Sequence, residues 1–214
     1  MSWSEQRRDM VEQQLLRRGI HDARVLDAMA RIPREDFVKE DDQTSSYSDC
    51  PISIGFGQTI SQPYMTALMA QSLGLTGTET VLDVGTGSGY HAAVLGLLAS
   101  RVFSIEVVPE LAAQARRTLE RTGLGANVTV LQGDGSLGFH QEAPYQGISV
   151  AAGAPDIPSA LLDQLHDPGK LVIPVGTRAD QDLKLVTKRG GRVTYDIVSQ
   201  CRFVPLVGRQ GWKI

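Results

Sequence analysis

The sequence predicts an α/β fold: a doubly wound, mostly parallel sheet carrying N-terminal helices and an antiparallel C-terminal extension. Three observations predict it. Five short apolar runs alternate with helix-length segments through the middle of the chain, the pattern of parallel strands joined by crossover helices. The first of these runs, Val81-Leu82-Asp83-Val84, opens into Gly85-Thr86-Gly87-Ser88-Gly89 and a helix-like segment from Tyr90, which reads as strand, tight loop, helix. After Gly176 apolar runs follow one another without helices, with Gly190-Gly191 as a hairpin turn.

Size and charge bound the function. A chain of 214 residues can bury a core without covalent staples. A net charge of -3 and a pI near 5.8 give no cationic footprint for nucleic acid or an anionic membrane. Cys50 and Cys201 have neither ligand nor redox spacing and read as thiols of a reducing compartment, and no metal is expected. The polar start, Met1 to Met10, does not read as a secretory signal, and no apolar run reaches membrane length. The expectation is a soluble cytoplasmic protein.

The elements follow in order. Met10, Val11, Leu15 and Leu16 recur at helical spacing from Ser4 to Arg18, and Gly19 stands where a C-cap would. Asp22 can cap a second helix whose buried face is Val25, Leu26 and Met29 and which Pro33 stops. Phe37 and Val38 suggest one more turn. Lys39 to Thr59 lacks periodicity, yet its end, Pro51 to Pro63, is too apolar for disorder and reads as an ordered wall of a site. Ser61 is positioned to cap the helix Pro63 to Leu73. Strands are expected at Thr80 to Val84, Arg101 to Glu106, Val128 to Gln132, Gly147 to Ala151 and Leu171 to Val175, with helices near Tyr90 to Ala99, Pro109 to Arg121 and Pro155 to Leu165. The extension adds Asp182 to Lys188, Arg192 to Ser199 and Cys201 to Val207.

The loop narrows the ligand. Its glycines allow positive φ and close backbone approach, and the helix behind it offers free N–H groups. A dinucleotide fingerprint runs G-x-G-x-x-G, whereas this loop runs G-x-G-x-G behind the carboxylate of Asp83. That carboxylate repels a diphosphate and favours a sulfonium or an ammonium group, so S-adenosylmethionine fits better than a nicotinamide cofactor. Glu106, which ends the next apolar run, lies where an acid can bond ribose hydroxyls of either. His91 reads as a partly exposed helix residue, and His21, His140 and His166 carry no assigned role.

Across nearly its whole length the chain resembles the protein-L-isoaspartate O-methyltransferases. The resemblance rests on Arg18-Gly19-Ile20, Val25 to Met29, Ile32 to Val38, Ile54 to Tyr64, the glycine loop, Gly133-Asp134-Gly135, Ile173 to Gly176 and Arg202-Phe203-Val204-Pro205-Leu206. The glycine loop indicates only the cofactor class; Gly57-Gln58-Thr59-Ile60-Ser61-Gln62-Pro63 and Arg202 to Leu206 are far more specific to the family. The resemblance implies a Rossmann-like methyltransferase fold, S-adenosylmethionine as cofactor, and methyl transfer to the free α-carboxylate of isoaspartyl residues in damaged proteins and peptides. By it, Asp83, Gly85, Gly87 and Gly89 cradle the methionine part, Glu106 holds the ribose, and Asp134 with Gly135 brackets the adenine.

By the same resemblance Ser61 is the active-site serine, bonding the reacting carboxylate or the polar end of the cofactor. It is not a nucleophile, because an isoaspartyl carboxylate is already ionised at neutral pH. Ile54, Ile60 and Ser61 in front, with Val204, Pro205 and Leu206 behind, form the substrate walls, where extended backbone can read a peptide main chain. One methyltransferase domain is expected, divided into a helical and wall-forming appendage (1–60), a cofactor-binding core (61–176) and an antiparallel extension (177–214), acting as a monomer. One position departs from the family: Gln146 stands where an aspartate is usual, followed by Gly147. The change removes either a charge beside the cofactor region or a structural bond.

Overall fold

The computed structural model describes residues 1–213. Its first helix, α1 (Trp3–Asp9), opens with a reciprocal cap: Glu5 N–H donates to the Ser2 hydroxyl while the Glu5 carboxylate accepts from Ser2 N–H. The helical path then changes pitch, through a π-helical turn at Met10–Leu15 and a 3-10 turn at Leu16–Arg18, and ends at Gly19 with φ 90°. Asp22 caps α2 (Ala23–Arg31), accepting from Arg24 N–H at 2.9 Å and Val25 N–H at 3.3 Å. The turn expected at Phe37 and Val38 is a 3-10 turn at Arg34–Phe37, and the segment expected to be irregular contains a second, Glu40–Ser45, and a hairpin of β1 (Ile52–Gly55) and β2 (Gln58–Ile60). Ile52, Ile54 and Ile60 pin that hairpin to the body by burial.

Ser61 does not cap the next helix. Gln62 occupies the N-cap position of α3 (Pro63–Leu73), with no side-chain cap, and Pro63 starts the first turn. A proline has no N–H to satisfy and its φ is already helical, so the turn forms without a serine cap. The Ser61 side chain is left for other work.

One seven-stranded sheet follows in the order β5-β4-β3-β6-β7-β8-β9. Its strands are β3 (Thr80–Val84), β4 (Arg101–Glu106), β5 (Val128–Gln132), β6 (Tyr145–Val150), β7 (Leu165–Gly176), β8 (Gln181–Arg189) and β9 (Arg192–Cys201). The first five run parallel, and β8 and β9 join antiparallel. Helices α4 (Tyr90–Leu98), α5 (Pro109–Thr122) and α6 (Ser159–Asp163) cover it. The last is shorter than its apolar pattern suggests: Pro158 precedes it, and Leu165 is drawn into β7 by pairing with Tyr145. The expected strand from Cys201 to Val207 is also not continuous. β9 ends at Cys201, and the chain crosses the sheet edge through single bridges, Gly153 to Pro205 and Val207 to Trp212, because Pro205 has no N–H to extend a ladder.

Strand alternation sorts the core. Leu82, Val84, Phe103, Ile105, Ile148 and Val150 pack on one face, and Val81 and Val102 on the other with α3 and α4. That second face also carries a buried polar row, Ser104, Asp83 and Ser149, in register on adjacent strands. The chain leaves β3 to build β4 and β5 on one side, then returns to β6 on the other. This reversal opens a crevice at the carboxyl ends of β3 and β6. Among the described residues no helix is long and apolar enough to cross a membrane.

Candidate active site

Three small compartments meet in that crevice. The first lies between the glycine loop and the C-terminal crossover, lined by Val84, Gly85, Ile105, Glu106, Gly135 and Val204 to Val207. A second, beneath the loop, is lined by Ile60, Ser61, Thr66, Gly85 to Ser88, Tyr90 and His91. Pro51, Ser61, Gln62, Met65, Arg202, Phe203 and Val204 line the third. Thr59 and Ala151 border all three, and Ser61 borders the second and third. A molecule spanning the first two would present its middle to whatever enters the third.

The glycine loop is held by backbone and by one acid. Gly85 N–H donates to Ile105 O at 2.8 Å, and Ala151 N–H to Val84 O at 2.8 Å. Glu106, buried at 5% exposure, accepts from Gly87 N–H at 2.8 Å and Val108 N–H at 3.0 Å. Two bonds leave a carboxylate further lone pairs for a ligand. At Gly87, φ is 53° and a Cβ would press on Ile54 Cδ1 at 3.2 Å, which ties the front wall to the loop. At Gly135 a Cβ would stand 2.5 Å from Val84 Cγ1, so only glycine preserves the floor of the first compartment.

Asp83 is placed differently from an acid that projects into the crevice. It is fully buried and lines none of the three compartments. Its Oδ2 accepts from Ser104 Oγ–H at 2.6 Å, while Oδ1 has no partner. Burial pushes its pKa up to about 7, Ser104 opposes the rise and Glu106 adds to it. An unpartnered buried carboxylate oxygen directly under a glycine loop fits a ligand that brings positive charge. Asp134 is largely spoken for: Oδ1 accepts from Ser136 N–H at 3.0 Å and Ser136 Oγ–H at 2.6 Å, and Oδ2 from Arg209 N–H at 2.7 Å. The pair Asp134-Gly135 therefore borders the first compartment through Gly135.

The Ser61 hydroxyl has no partner among the described residues, whereas its carbonyl accepts from Arg34 Nη2 at 2.6 Å. His91, expected to be partly exposed, is buried at 8% exposure and lines the second compartment. The early residues of α4 face the sheet because the glycine loop brings the chain back over β6. Gln146 resolves the family departure: its Oε1 accepts from Thr80 N–H at 2.8 Å, at the opposite end of the sheet from the crevice. The amide keeps a structural bond there. Thr59 falls within the wall expected from Pro51 to Pro63, whereas Ala151 and Arg202 carry no expected site role of their own; for Ala151 the usable signal is its place directly after a strand at the topological switch point. Among the described residues no cluster of three or more His, Cys, Asp or Glu could hold a metal.

Comparison with known proteins gives a consistent result. Residues 5–211 match the family described as Protein-L-isoaspartate(D-aspartate) O-methyltransferase. The chain is 56% identical over 211 residues to protein-L-isoaspartate O-methyltransferase 2 of Marinobacter nauticus, covering 98% of this chain and 96% of the relative. A solved protein-L-isoaspartate O-methyltransferase superposes with a TM-score of 0.86 at 29% identity, covering 96% of this chain and 67% of the other. A second, described as such an enzyme from Plasmodium falciparum in complex with S-adenosyl-L-homocysteine, gives a TM-score of 0.79 at 29% identity, covering 94% and 98%.

Proposed function

The chain belongs to the protein-L-isoaspartate(D-aspartate) O-methyltransferase family, and from that premise we propose how its own residues divide the reaction. The protein is an S-adenosylmethionine-dependent carboxyl O-methyltransferase acting on the free α-carboxylate of L-isoaspartyl residues, the step that initiates repair of damaged proteins. The observation that carries the division of labour is the meeting of three compartments at Thr59 and Ala151, with Ser61 shared by the second and third. When bound, S-adenosylmethionine supplies an electrophilic methyl group, which passes to a carboxylate oxygen as the thioether S-adenosyl-L-homocysteine is left. Glu106 would take the ribose hydroxyls, Gly135 would border the adenine, and Gly85 to Gly89 with the charge of Asp83 beneath them would hold the methionine end. The third compartment would receive the isoaspartyl residue between Ser61 and Val204, with Pro205 and Leu206 continuing the wall along the first.

An acceptor that is already ionised needs no general base. What remains for the protein is orientation and exclusion of water. Support for Ser61 in the first task is its free hydroxyl at the border of the second and third compartments. Ser61→Ala is expected to lower kcat/KM for an isoaspartyl peptide about 10- to 100-fold, the loss of one hydrogen bond to a charged group. Arg202 is the charged side chain lining the third compartment, and it has no ion-pair or hydrogen-bond partner among the described residues. We assign it the attraction of the substrate carboxylate past the acids of the cofactor region. Arg202→Gln should raise KM for the peptide about tenfold, leave binding of S-adenosyl-L-homocysteine unchanged, and matter less at high salt.

We propose that the protein works as a monomer, and we place it in the cytoplasm. In the proposed division, residues 61–176 supply the cofactor cradle, and residues 1–60 and 177–214 supply walls that, together with Ser61, Gln62 and Met65, enclose the acceptor. The direct test offers labelled S-adenosylmethionine with a synthetic isoaspartyl peptide and its normal-aspartyl twin, counting label as base-labile methanol. Transfer to the isoaspartyl peptide alone is expected; equal transfer to both, or to neither, would overturn the reading.

A further inference from the structure

His91 does something that its position on a helix does not require. It is the second residue of α4, and its Nε2 lies 2.9 Å from Ser149 Oγ, a hydroxyl that is fully buried on β6. No other acceptor for the Ser149 hydroxyl lies in reach among the described residues, so its hydrogen is satisfied only if Nε2 accepts it. Burial holds the ring neutral, drawing its pKa down to about 4. A neutral imidazole that accepts at Nε2 carries its single proton on Nδ1. That Nδ1–H is a donor with no partner among the described residues, on a ring that lines the second compartment beside Ser61, Thr86 and Gly87. A donor without a partner favours a ligand that can accept from it, and the compartment the ring lines is where a ligand group belongs.

We propose that His91 is a cofactor-binding residue, its Nδ1–H donating to the carboxylate at the methionine end of S-adenosylmethionine, with Ser149 as the positioning residue that fixes the tautomer. The inference rests on the methyltransferase reading and names a contact within it. Its neighbours agree with the charge pattern. The first amides of α4 have no helical acceptor and favour an anion at the same end. Asp83, on the strand between Ser104 and Ser149, favours the ammonium group instead. The two ends of a zwitterion would then be sorted by a donor on α4 and an acid on β3. His91 does not border the third compartment, so the acceptor's carboxylate is not its partner.

Two ligands separate a contact from a packing role. S-adenosyl-L-homocysteine carries the amino-acid end; 5′-methylthioadenosine keeps the adenosine and the thioether and lacks that end. In calorimetric titrations His91→Leu is expected to weaken S-adenosyl-L-homocysteine about tenfold or more and to leave 5′-methylthioadenosine within twofold of the wild type. Ser149→Ala, which keeps the imidazole and frees its tautomer, should give a smaller loss confined to the same ligand. Equal losses on both ligands, or no loss on either, would overturn the proposal. Should His91→Leu fail to fold, imidazole ¹⁵N spectra of the wild type decide. The Nδ1–H tautomer, with an Nδ1 shift on adding S-adenosyl-L-homocysteine and none with 5′-methylthioadenosine, is expected; the opposite tautomer sinks the contact. If the wild type bound neither ligand, the cofactor reading itself would fall, an outcome distinct from these.

Discussion

Replacing Arg34 by methionine is expected to lower the unfolding free energy by about 3 kcal/mol and to lower turnover more than tenfold in whatever remains folded. Arg34 is completely buried, and burial lowers its pKa, countered chiefly by Tyr90 and Tyr47. It has no carboxylate partner. Its Nε donates to Ser46 O at 2.7 Å, its Nη2 to Ser61 O at 2.6 Å, and its guanidinium lies 4.6 Å from the centre of the Tyr90 ring. Two charge-assisted bonds at about 1.5–3 kcal/mol each, and a desolvated cation–π contact of about 2 kcal/mol, outweigh the relief of uncharging the site. Methionine fills most of the volume but leaves two carbonyls bare. One of those carbonyls belongs to Ser61, so the side chain that ties the N-terminal appendage to the core also sets where the serine sits. Urea titration with an unchanged m value and a lower midpoint checks the first effect; methyl transfer at saturating peptide and cofactor checks the second. A variant as stable as the wild type would mean that the two carbonyls find other partners.

Much of this was legible in the residues, and the limits have physical causes. The parallel strands could be read because most are apolar, β-branched runs closed by a glycine or an acid, and those local signals coincide with the sheet that forms. The hairpin at Ile52–Ile60 was legible only as an apolar wall: its strands are three and four residues long, too short for period-2 alternation to stand out from chance. Ser61 reads as a cap because serine before a helix usually is one, and Pro63 removes the need. His91 shows the other limit. Nothing in the sequence near residue 91 announces Ser149, 58 positions away, and it is the register of β6 beside β3 that turns an ordinary helix position into a buried one. The roles of Gln146 and Asp83 depend in the same way on which end of the sheet, and which face, a side chain meets.

Asp83→Asn is expected to make the unliganded protein more stable above pH 7 and a poorer binder of its cofactor. The sign follows from the carboxyl's own titration. In the unfolded chain it ionises near the ordinary aspartate value of 3.8; in the fold that pKa is pushed up to about 7. Below pH 4 the carboxyl is protonated in both states and its burial costs nothing by this route. As pH rises toward 7 the unfolded chain releases the proton and the folded chain holds it, so the relative stability drains away, reaching a deficit of up to roughly 4 kcal/mol above pH 7. Asparagine does not titrate and every other group is common to both proteins, so the wild type's melting temperature should fall relative to the variant's from pH 5 to pH 8. Binding runs the other way. A ligand that brings an ammonium or sulfonium charge meets an ionised Asp83 only after that proton has left, so wild-type affinity for S-adenosyl-L-homocysteine should climb with pH up to about 7 and then level. The variant should bind about 10- to 100-fold more weakly at pH 8 with no such climb, the loss of one charged partner in a dry site. Calorimetry in two buffers of different ionisation enthalpy would count the proton released below pH 7; finding none, with affinity independent of pH, would place the charge that selects the cofactor somewhere other than Asp83. The unpartnered Oδ1 and the costly burial are then two aspects of one arrangement, in which the empty fold carries a strain that a cationic ligand relieves.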